Sequence, residues 1–226
     1  MRGEPAQVTL YYDCLSPFSY FAFTALHRYA ILQLWPMQLE LKPMLLGGVM
    51  AATGNRPPAV REWAGATTVV ASQDMARNRE WFNLPAMLEG PSNFFGPDGP
   101  TDKRGLARDM RYQRLLTAIR IRYPHRPEVL REATRLTFEL IWASSVDRNT
   151  EDAVVITKRV LERIATQAGL VAEEAANVVQ QITASGAWAF REGCRWHCSG
   201  PTRGGVDRPA LLARLTRARI SSDARS

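Results

Sequence analysis

The chain has 226 residues, of which 46% are hydrophobic and 23% charged, so it is long and apolar enough to bury a substantial core. Its 29 Lys and Arg residues outnumber 22 Asp and Glu residues, which gives a net charge of +7. No zinc-finger, RNP or helix-turn-helix motif accompanies this charge, so we expect no nucleic-acid partner and interpret the basic residues mostly as solvated helix faces that also attract an anionic ligand.

The first predicted elements are a strand, a helix and a second strand. Residues 8–12 are β-branched and aromatic, which is typical of a half-buried strand. Residues 37–43 alternate between apolar and polar side chains, which predicts a second strand parallel to the first. Between them, apolar residues recur at helical spacing, and these are Phe18, Phe21, Ala22, Ala25, Leu26 and Tyr29.

Ser16 and Pro17 are predicted to begin this helix. Serine is a favourable N-cap, and proline is pre-organised for the first helical turn. The unpaired N–H groups and the positive dipole end at such a place favour an anion. On local pattern alone, helix capping is the simpler interpretation of Ser16. No G-x-S-x-G motif surrounds it to indicate a hydrolase nucleophile.

The remainder of the chain is predicted to be mostly helical. Residues 44–58 predict a loop, because Pro57 and Pro58 cannot continue a helix. The helical pattern then extends from about residue 60 to residue 182, with a loop at 90–105 rich in glycine and proline. The predicted helices are one that starts at 73–78 and ends before Leu84, then 106–123, 128–144, one capped by Thr150 and closed by Gly169, 172–182, and a last one at 209–218.

The three cysteines are Cys14, Cys194 and Cys198. An odd number without a secretory signal indicates a reducing compartment and no disulfide framework. Cys194 and Cys198, with His197 between them, lack a second pair of ligands, so we expect no metal site. No signal peptide and no apolar run of membrane-spanning length is found.

The first strand is followed by Asp13-x-x-Ser16-Pro17-Phe18-Ser19. This opening resembles that of the kappa-class glutathione transferases and of bacterial 2-hydroxychromene-2-carboxylate isomerases. The resemblance implies an α/β fold, in which a thioredoxin-like domain carries a large inserted all-α domain. We therefore expect residues 1–62 and 187–226 to form the thioredoxin-like domain and residues 63–186 to form the helical domain.

The resemblance also implies a role for Ser16. In these families a serine replaces the first cysteine of the redox C-x-x-C motif. Its hydroxyl and the helix N-terminus hold the sulfur of glutathione as a thiolate. Ser16 is then the catalytic residue, and Ser16 and Pro17 both contact glutathione.

Residues 54–58 resemble a family segment of glycine, asparagine, a basic residue and two prolines. In that segment the asparagine contacts glutathione, which implies the same role for Asn55. On local pattern alone Asn55 is a turn residue. The family's glutathione-binding lysine is missing after this segment. Arg61 is a candidate replacement for binding a carboxylate, and a solvated charge at a helix end is the simpler interpretation.

The C-terminal part departs from the family pattern. Pro201 matches the proline loop of the family, and Asp207 with Arg208 matches its Ser-Asp-Arg turn, so the resemblance implies that all three contact glutathione, with Asp207 facing the γ-glutamyl ammonium. A helix cap and its solvated partner is the alternative for Asp207 and Arg208. Only residues 203–205 lie between the Pro201-Thr202 match and the Val206-Asp207-Arg208 match, too few for the family's β-hairpin. Either a shorter segment replaces the hairpin or the sheet is incomplete.

The preferred interpretation is a kappa-like glutathione transferase that acts on electrophilic, apolar small molecules, with glutathione as co-substrate. Three alternatives remain, beside a basic nucleic-acid-binding protein, which rests only on the net charge. The first is an isomerase that uses the same thiolate. The second is a non-catalytic dimeric scaffold with a decayed glutathione site. The third is a disulfide oxidoreductase, which is disfavoured because residues 14–17 do not form C-x-x-C. The resemblance further implies a homodimer, a role in detoxification, and a mitochondrial or peroxisomal location, although no transit peptide is seen.

Overall fold

The computed structural model describes residues 4–31, 35–55, 64–84, 110–143 and 158–184. These residues all belong to the first of two units of the chain, Met1–Phe190 and Arg191–Ser226. The described elements, in chain order, are β1 Ala6–Tyr12, α1 Pro17–Ile31, β2 Met37–Pro43, α2 Leu46–Thr53, α3 Ala64–Trp81, α4 Arg111–Arg122, α5 Pro127–Phe138, a single π-helical turn Glu139–Ala143, α6 Lys158–Gln167 and α7 Ala172–Ala184.

The two strands pair in parallel, from Ala6 opposite Met37 to Tyr12 opposite Pro43. Both strand predictions are confirmed, and β1 extends slightly further toward the N-terminus than its sequence pattern indicated. Burial alternates along β1, and on its inner face it increases from half-buried Val8 and Leu10 to fully buried Tyr12, whereas Tyr11 is exposed. The carboxyl ends of both strands therefore enter the core, and the segments that follow them, at Asp13 and Met44, meet at the same edge of the sheet.

Gln113 of α4 ties these two strand ends together. Its side-chain Nε2 donates to the backbone carbonyl of Tyr12 at 3.2 Å and to that of Met44 at 2.5 Å. The Met44 N–H also donates to the Tyr12 carbonyl, at 2.8 Å. The helical part of the chain thus fixes the edge of the sheet from which α1 and α2 depart.

The main core lies between the helices and is closed over the sheet by aromatic rings. Phe138, at the end of α5, is fully buried and packs on Tyr12, Tyr20 and Phe23 at ring-centroid distances of 5.9, 5.0 and 5.5 Å. The helices also contribute many fully buried aliphatic side chains, among them Leu115, Leu116, Ile119, Ala133, Leu161, Val178 and Val179. Burial of this apolar surface is the main source of stability that holds β1 and α1 against the helices.

Several helix predictions required correction. The predicted loop at 44–58 is wrong over Leu46–Thr53, which forms α2. The helix expected to start at residues 73–78 begins earlier, at Ala64. The helix expected from residue 106 begins at Arg111, because Met110 has non-helical angles (φ −95°, ψ 2°), and residues 106–109 lie outside the described ranges.

Other predictions hold. Gly169 has φ +106°, a conformation that favours glycine, and it follows α6 as expected. The helix α7 is present, whereas Thr150, the expected cap of α6, lies outside the described residues. The division into residues 1–62, 63–186 and 187–226 stays a prediction. Across the described residues, we find no helix both long and apolar enough to cross a bilayer.

Candidate active site

The turn between β1 and α1 is closed by its own hydrogen bonds. The Ser16 N–H donates to the Asp13 carbonyl at 3.0 Å, and the Leu15 N–H donates to Asp13 Oδ1 at 3.0 Å. The Asp13 N–H in turn donates to Ser19 Oγ at 3.3 Å. Because these bonds run in both directions along the chain, the turn has one defined geometry.

The second oxygen of Asp13 reaches a different helix. Oδ2 accepts the backbone N–H of Leu46, the first residue of α2, at 2.8 Å. Asp13 is only 3% exposed, and burial raises the pKa of its carboxyl, while the two backbone N–H groups partly oppose that rise. An acidic group at the N-terminus of a helix is favourable, so Asp13 both starts α2 and fixes it to the turn before α1.

Ser16 is the N-cap of α1, as the sequence predicted. Its Oγ accepts the Ser19 N–H at 3.3 Å, and its carbonyl accepts the Tyr20 N–H at 3.2 Å. Ser16 is half-buried, and Pro17 is the first helical residue, so that position contributes no N–H. Among the described residues, the Phe18 N–H and the Ser16 hydroxyl proton have no acceptor, so both can donate to an anion placed at the start of the helix.

Cys14 lies within the same turn, with its side chain fully buried. Its backbone carbonyl accepts the indole Nε1–H of Trp142 at 2.9 Å. Trp142 belongs to the π-helical turn and is itself 5% exposed. Sequence reasoning missed Trp142, because the apolar pattern of residues 128–144 continues as a regular helix and gives no sign of this contact.

Asn55 lies just beyond the far end of α2. Its backbone N–H donates to the Met50 carbonyl at 2.8 Å, and its neighbour Gly54 has φ +69°, so it does occupy the turn that local pattern indicates. Asp13 bonds the first residue of α2 and Asn55 follows its last residue by two positions, so the length of α2, about 12 Å for eight residues, lies between the Asp13 contact and Asn55. Pro201, Asp207, Arg208 and Arg61 lie outside the described residues, and their roles stay predictions.

Comparison with known proteins identifies the family to which this chain belongs. A family model described as a DsbA-like thioredoxin domain matches residues 7–187. Glutathione S-transferase kappa 1 of Rattus norvegicus is 30% identical over 183 residues, which cover 81% of this chain and 71% of that protein. This chain belongs to the kappa-class glutathione transferase family. The Homo sapiens protein of the same name is 28% identical over 182 residues, covering 80% of this kappa-class chain and 70% of the relative.

A solved structure supports the same fold for this kappa-class chain. The structure of a 2-hydroxychromene-2-carboxylate isomerase aligns with a TM-score of 0.56 and 19% identity, covering 97% of this chain and all of the other. At that identity the alignment shows a shared fold. The predicted thioredoxin-like fold with a helical insertion is therefore confirmed, and β1, α1 and β2 are its opening βαβ unit.

The burial of Cys14 in this kappa-class chain does not suit disulfide exchange at this residue. A thiol that exchanges disulfides needs solvent access and thiolate character. Cys14 is fully buried, two residues before the helix cap, whereas the half-buried Ser16 occupies the helix N-terminus itself. The side chain that the turn presents is thus a hydroxyl.

Proposed function

We propose that this kappa-class chain is a glutathione transferase that joins the sulfur of glutathione to electrophilic, apolar small molecules. The observation that carries the proposal is the position of Ser16, whose hydroxyl caps α1 on a turn that Asp13 holds in place. The rat and human kappa 1 relatives, which align over most of the chain, support the same activity at the level of the family.

Ser16 is proposed to hold the sulfur of glutathione as a thiolate. A free thiol has a pKa of about 8.5, and a helix N-terminus with nearby hydrogen-bond donors lowers it. We assign the Ser16 hydroxyl and the Phe18 N–H, both at the start of α1, as donors to the negative sulfur, and the helix dipole adds to their effect. The thiolate then attacks the electrophile. With an aryl halide, a sulfur–carbon bond forms, halide leaves with its electron pair, and the thiol proton passes to solvent.

Asp13 does not oppose such a thiolate strongly, although it precedes Ser16 by only three residues. Each of its oxygens accepts a backbone N–H, from Leu15 and from Leu46, so its negative charge is directed into the turn and the start of α2. Its role in this proposal is to hold the turn in place.

The length of α2 suits a tripeptide that lies along it. Three extended residues span about 10 Å, comparable to the rise of α2 between the turn of Ser16 and Asn55. We assign Asn55 and the ring of Pro17 to contacts with glutathione. Pro201, Asp207 and Arg208 are proposed to complete the site, with Asp207 facing the γ-glutamyl ammonium.

The preference for apolar second substrates rests on Phe18. Its side chain is 48% exposed directly after Pro17, next to the site of the thiolate, and its ring lies edge-on to that of Phe21 at 6.0 Å. An exposed aromatic ring beside a reactive sulfur offers an apolar surface for an electrophile.

An isomerase that adds the same thiolate reversibly to a chromene carboxylate is the alternative, favoured by the fold shared with the isomerase structure. A substrate panel separates the two activities, because a chromene carboxylate would then be converted without net consumption of glutathione. A non-catalytic scaffold would do neither. We also propose a homodimer with a detoxification role in mitochondria or peroxisomes, which light scattering and organelle fractionation test.

Calorimetric titration with glutathione and with S-methylglutathione tests the proposal. S-methylglutathione has no ionisable thiol, so at a pH above the pKa of the free thiol the native protein should bind glutathione more tightly, by about tenfold for each unit by which the site lowers that pKa. In Ser16→Ala this preference should disappear while the weaker affinity for S-methylglutathione persists. Well-folded native protein that gives no heat with either ligand, and no conjugation, would reject the proposal.

A further inference from the structure

The π-helical turn Glu139–Ala143 directs one side chain from the helical part of the chain onto the turn between β1 and α1. The chain follows a regular α-helix through Phe138 and then widens for one turn, a change often found at functional sites. The wider turn alters the direction of the side chains within it. Trp142 consequently places its indole N–H on the Cys14 carbonyl at 2.9 Å, a bond that connects residues 128 positions apart.

The Trp142 bond holds a further group of the turn, beside those that the bonds within the turn hold. The Asp13 carbonyl, the Leu15 N–H and the Ser16 N–H are held by bonds within the turn itself. The Cys14 carbonyl is the group that the helical part holds, and both partners are buried, so the bond is shielded from competing water.

We propose that Trp142 is a positioning residue for Ser16, acting through the Cys14 carbonyl. Its indole N–H fixes the peptide unit two residues before the cap, and so sets the direction in which the Ser16 hydroxyl and the Phe18 N–H face a bound thiolate. This inference rests on the proposed function and deepens it, because it makes the helical insertion part of the machinery that ionises the thiol. No contact of Trp142 with substrate is involved.

Trp142→Phe removes the N–H and keeps an aromatic ring in place. Replacement of Trp142 by 3-benzothienylalanine, introduced at this codon alone, removes the N–H with almost no change in shape, and so remains informative if the phenylalanine variant folds poorly. Tyr12→Phe is the matched control. It removes another buried side-chain bond between the sheet and α5, Tyr12 Oη to Thr134 Oγ1 at 2.6 Å, without touching the turn.

The first readout is the pH profile of kcat/KM for the electrophile at saturating glutathione, whose midpoint reports the pKa of the thiol of bound glutathione. Both Trp142 variants should raise the midpoint by about half a unit or more, with kcat far above the midpoint changed less than about twofold. Tyr12→Phe should leave the midpoint unchanged, even if its melting temperature falls by as much as that of the Trp142 variants. Equal midpoints in all four proteins would overturn the proposal and leave Trp142 a purely structural residue.

The second readout needs no glutathione, so it separates this inference from the proposed function. Amide hydrogen exchange of Leu15, Ser16 and Ser19 in the unliganded protein should accelerate by about fivefold or more in both Trp142 variants and not in Tyr12→Phe. Unchanged exchange would overturn the positioning role. If the native protein shows no conjugation, the proposed function fails, and exchange alone then decides whether Trp142 holds the turn.

Discussion

The Asp13 carboxylate accepts the backbone N–H of Leu46 at 2.8 Å, across 33 residues of sequence. One buried side chain thereby fixes two helix N-termini, that of α1 through its own turn and that of α2 directly. The site is built from this relationship, because Ser16 follows Asp13 on the turn and Asn55 follows α2.

Removal of this carboxylate should cost stability. Asp13→Ala leaves the Leu15 and Leu46 N–H groups without their acceptor in a buried place, and we expect a loss of about 2–4 kcal/mol in the free energy of unfolding. Asp13→Asn retains one acceptor oxygen and should lose less. Urea denaturation measures both. Equal stability of Asp13→Ala and the native protein would show that the two bonds contribute nothing.

The bond between Tyr12 and Thr134 should appear as a coupling energy. Thr134 Oγ1 already donates to the Leu130 carbonyl at 2.7 Å, so the Tyr12 hydroxyl is the donor in the 2.6 Å bond between them. Tyr12→Phe and Thr134→Val should each destabilise the protein by about 1–2 kcal/mol. The double variant should lose less than their sum, by about 1 kcal/mol. Strictly additive losses in denaturation experiments would contradict the bond.

His27 should make stability depend on pH. Burial is the main cause that lowers its pKa, and Arg131 and Arg135 of α5 act in the same direction against the smaller opposite effect of Glu132. The unfolded chain therefore binds a proton more readily near pH 6.5 than the folded chain. Stability rises with pH through this range and is lost as the pH falls through it, with a slope of at most about 1.4 kcal/mol per pH unit.

His27→Gln should remove this slope, although loss of the stacking on Phe23 at 5.1 Å also lowers stability at every pH. The measurement is the free energy of unfolding from pH 5 to pH 8 for the native protein and the variant. The exposed His125 provides the control, since His125→Gln should keep the native slope. A slope retained in His27→Gln would assign the pH dependence to another group.

Alanine substitutions at two glycines should change the stability of the protein in opposite directions. Gly47 lies in α2, where an added Cβ meets no atom within 4 Å, so Gly47→Ala should raise stability by up to about 1 kcal/mol. Gly169 has φ +106°, so Gly169→Ala should lower stability by about 1–2 kcal/mol. The loss comes from backbone strain, because the new Cβ would lie 3.9 Å from Val129, an ordinary contact distance. Thermal melts of both variants test the pair, and a stabilised Gly169→Ala would contradict this backbone assignment.

The opening βαβ unit could be predicted because its signals are local. The alternation in residues 37–43 needs no information beyond the segment, and the bounds of β2 agree with it. The start of α1 could be predicted from Ser16 and Pro17 alone, because serine favours the N-cap and proline the first helical turn. The N-cap bond to Ser19 is present as expected.

The missed features depend on distant partners. Gly47 and Gly48 are poor helix formers, and α2 begins where it does because a carboxylate 33 residues earlier accepts its first N–H. Trp142 continues a helical pattern, and nothing near it in sequence indicates that the helix widens or that a carbonyl 128 residues earlier accepts its N–H. A single aspartate or tryptophan in a sequence does not identify such a partner.

The central claim is that the Ser16 hydroxyl holds a thiolate rather than only capping a helix. Ser16→Asp separates these roles, because aspartate caps a helix as well as serine does but places a negative charge where the sulfur would lie. Thr53→Ala is the control, since the Thr53 hydroxyl lies at the far end of α2 and, within the described part of the chain, bonds only to carbonyls of its own helix at 3.0 and 3.3 Å.

The most direct measurement is the rate of glutathione conjugation to an activated aryl halide by the native protein, Ser16→Ala, Ser16→Asp and Thr53→Ala. The account predicts that kcat/KM falls by about tenfold or more in Ser16→Ala and further in Ser16→Asp, with Ser16→Asp as stable as the native protein and Thr53→Ala unchanged. A Ser16→Asp variant that conjugates at the native rate would contradict the account and leave Ser16 a helix cap alone.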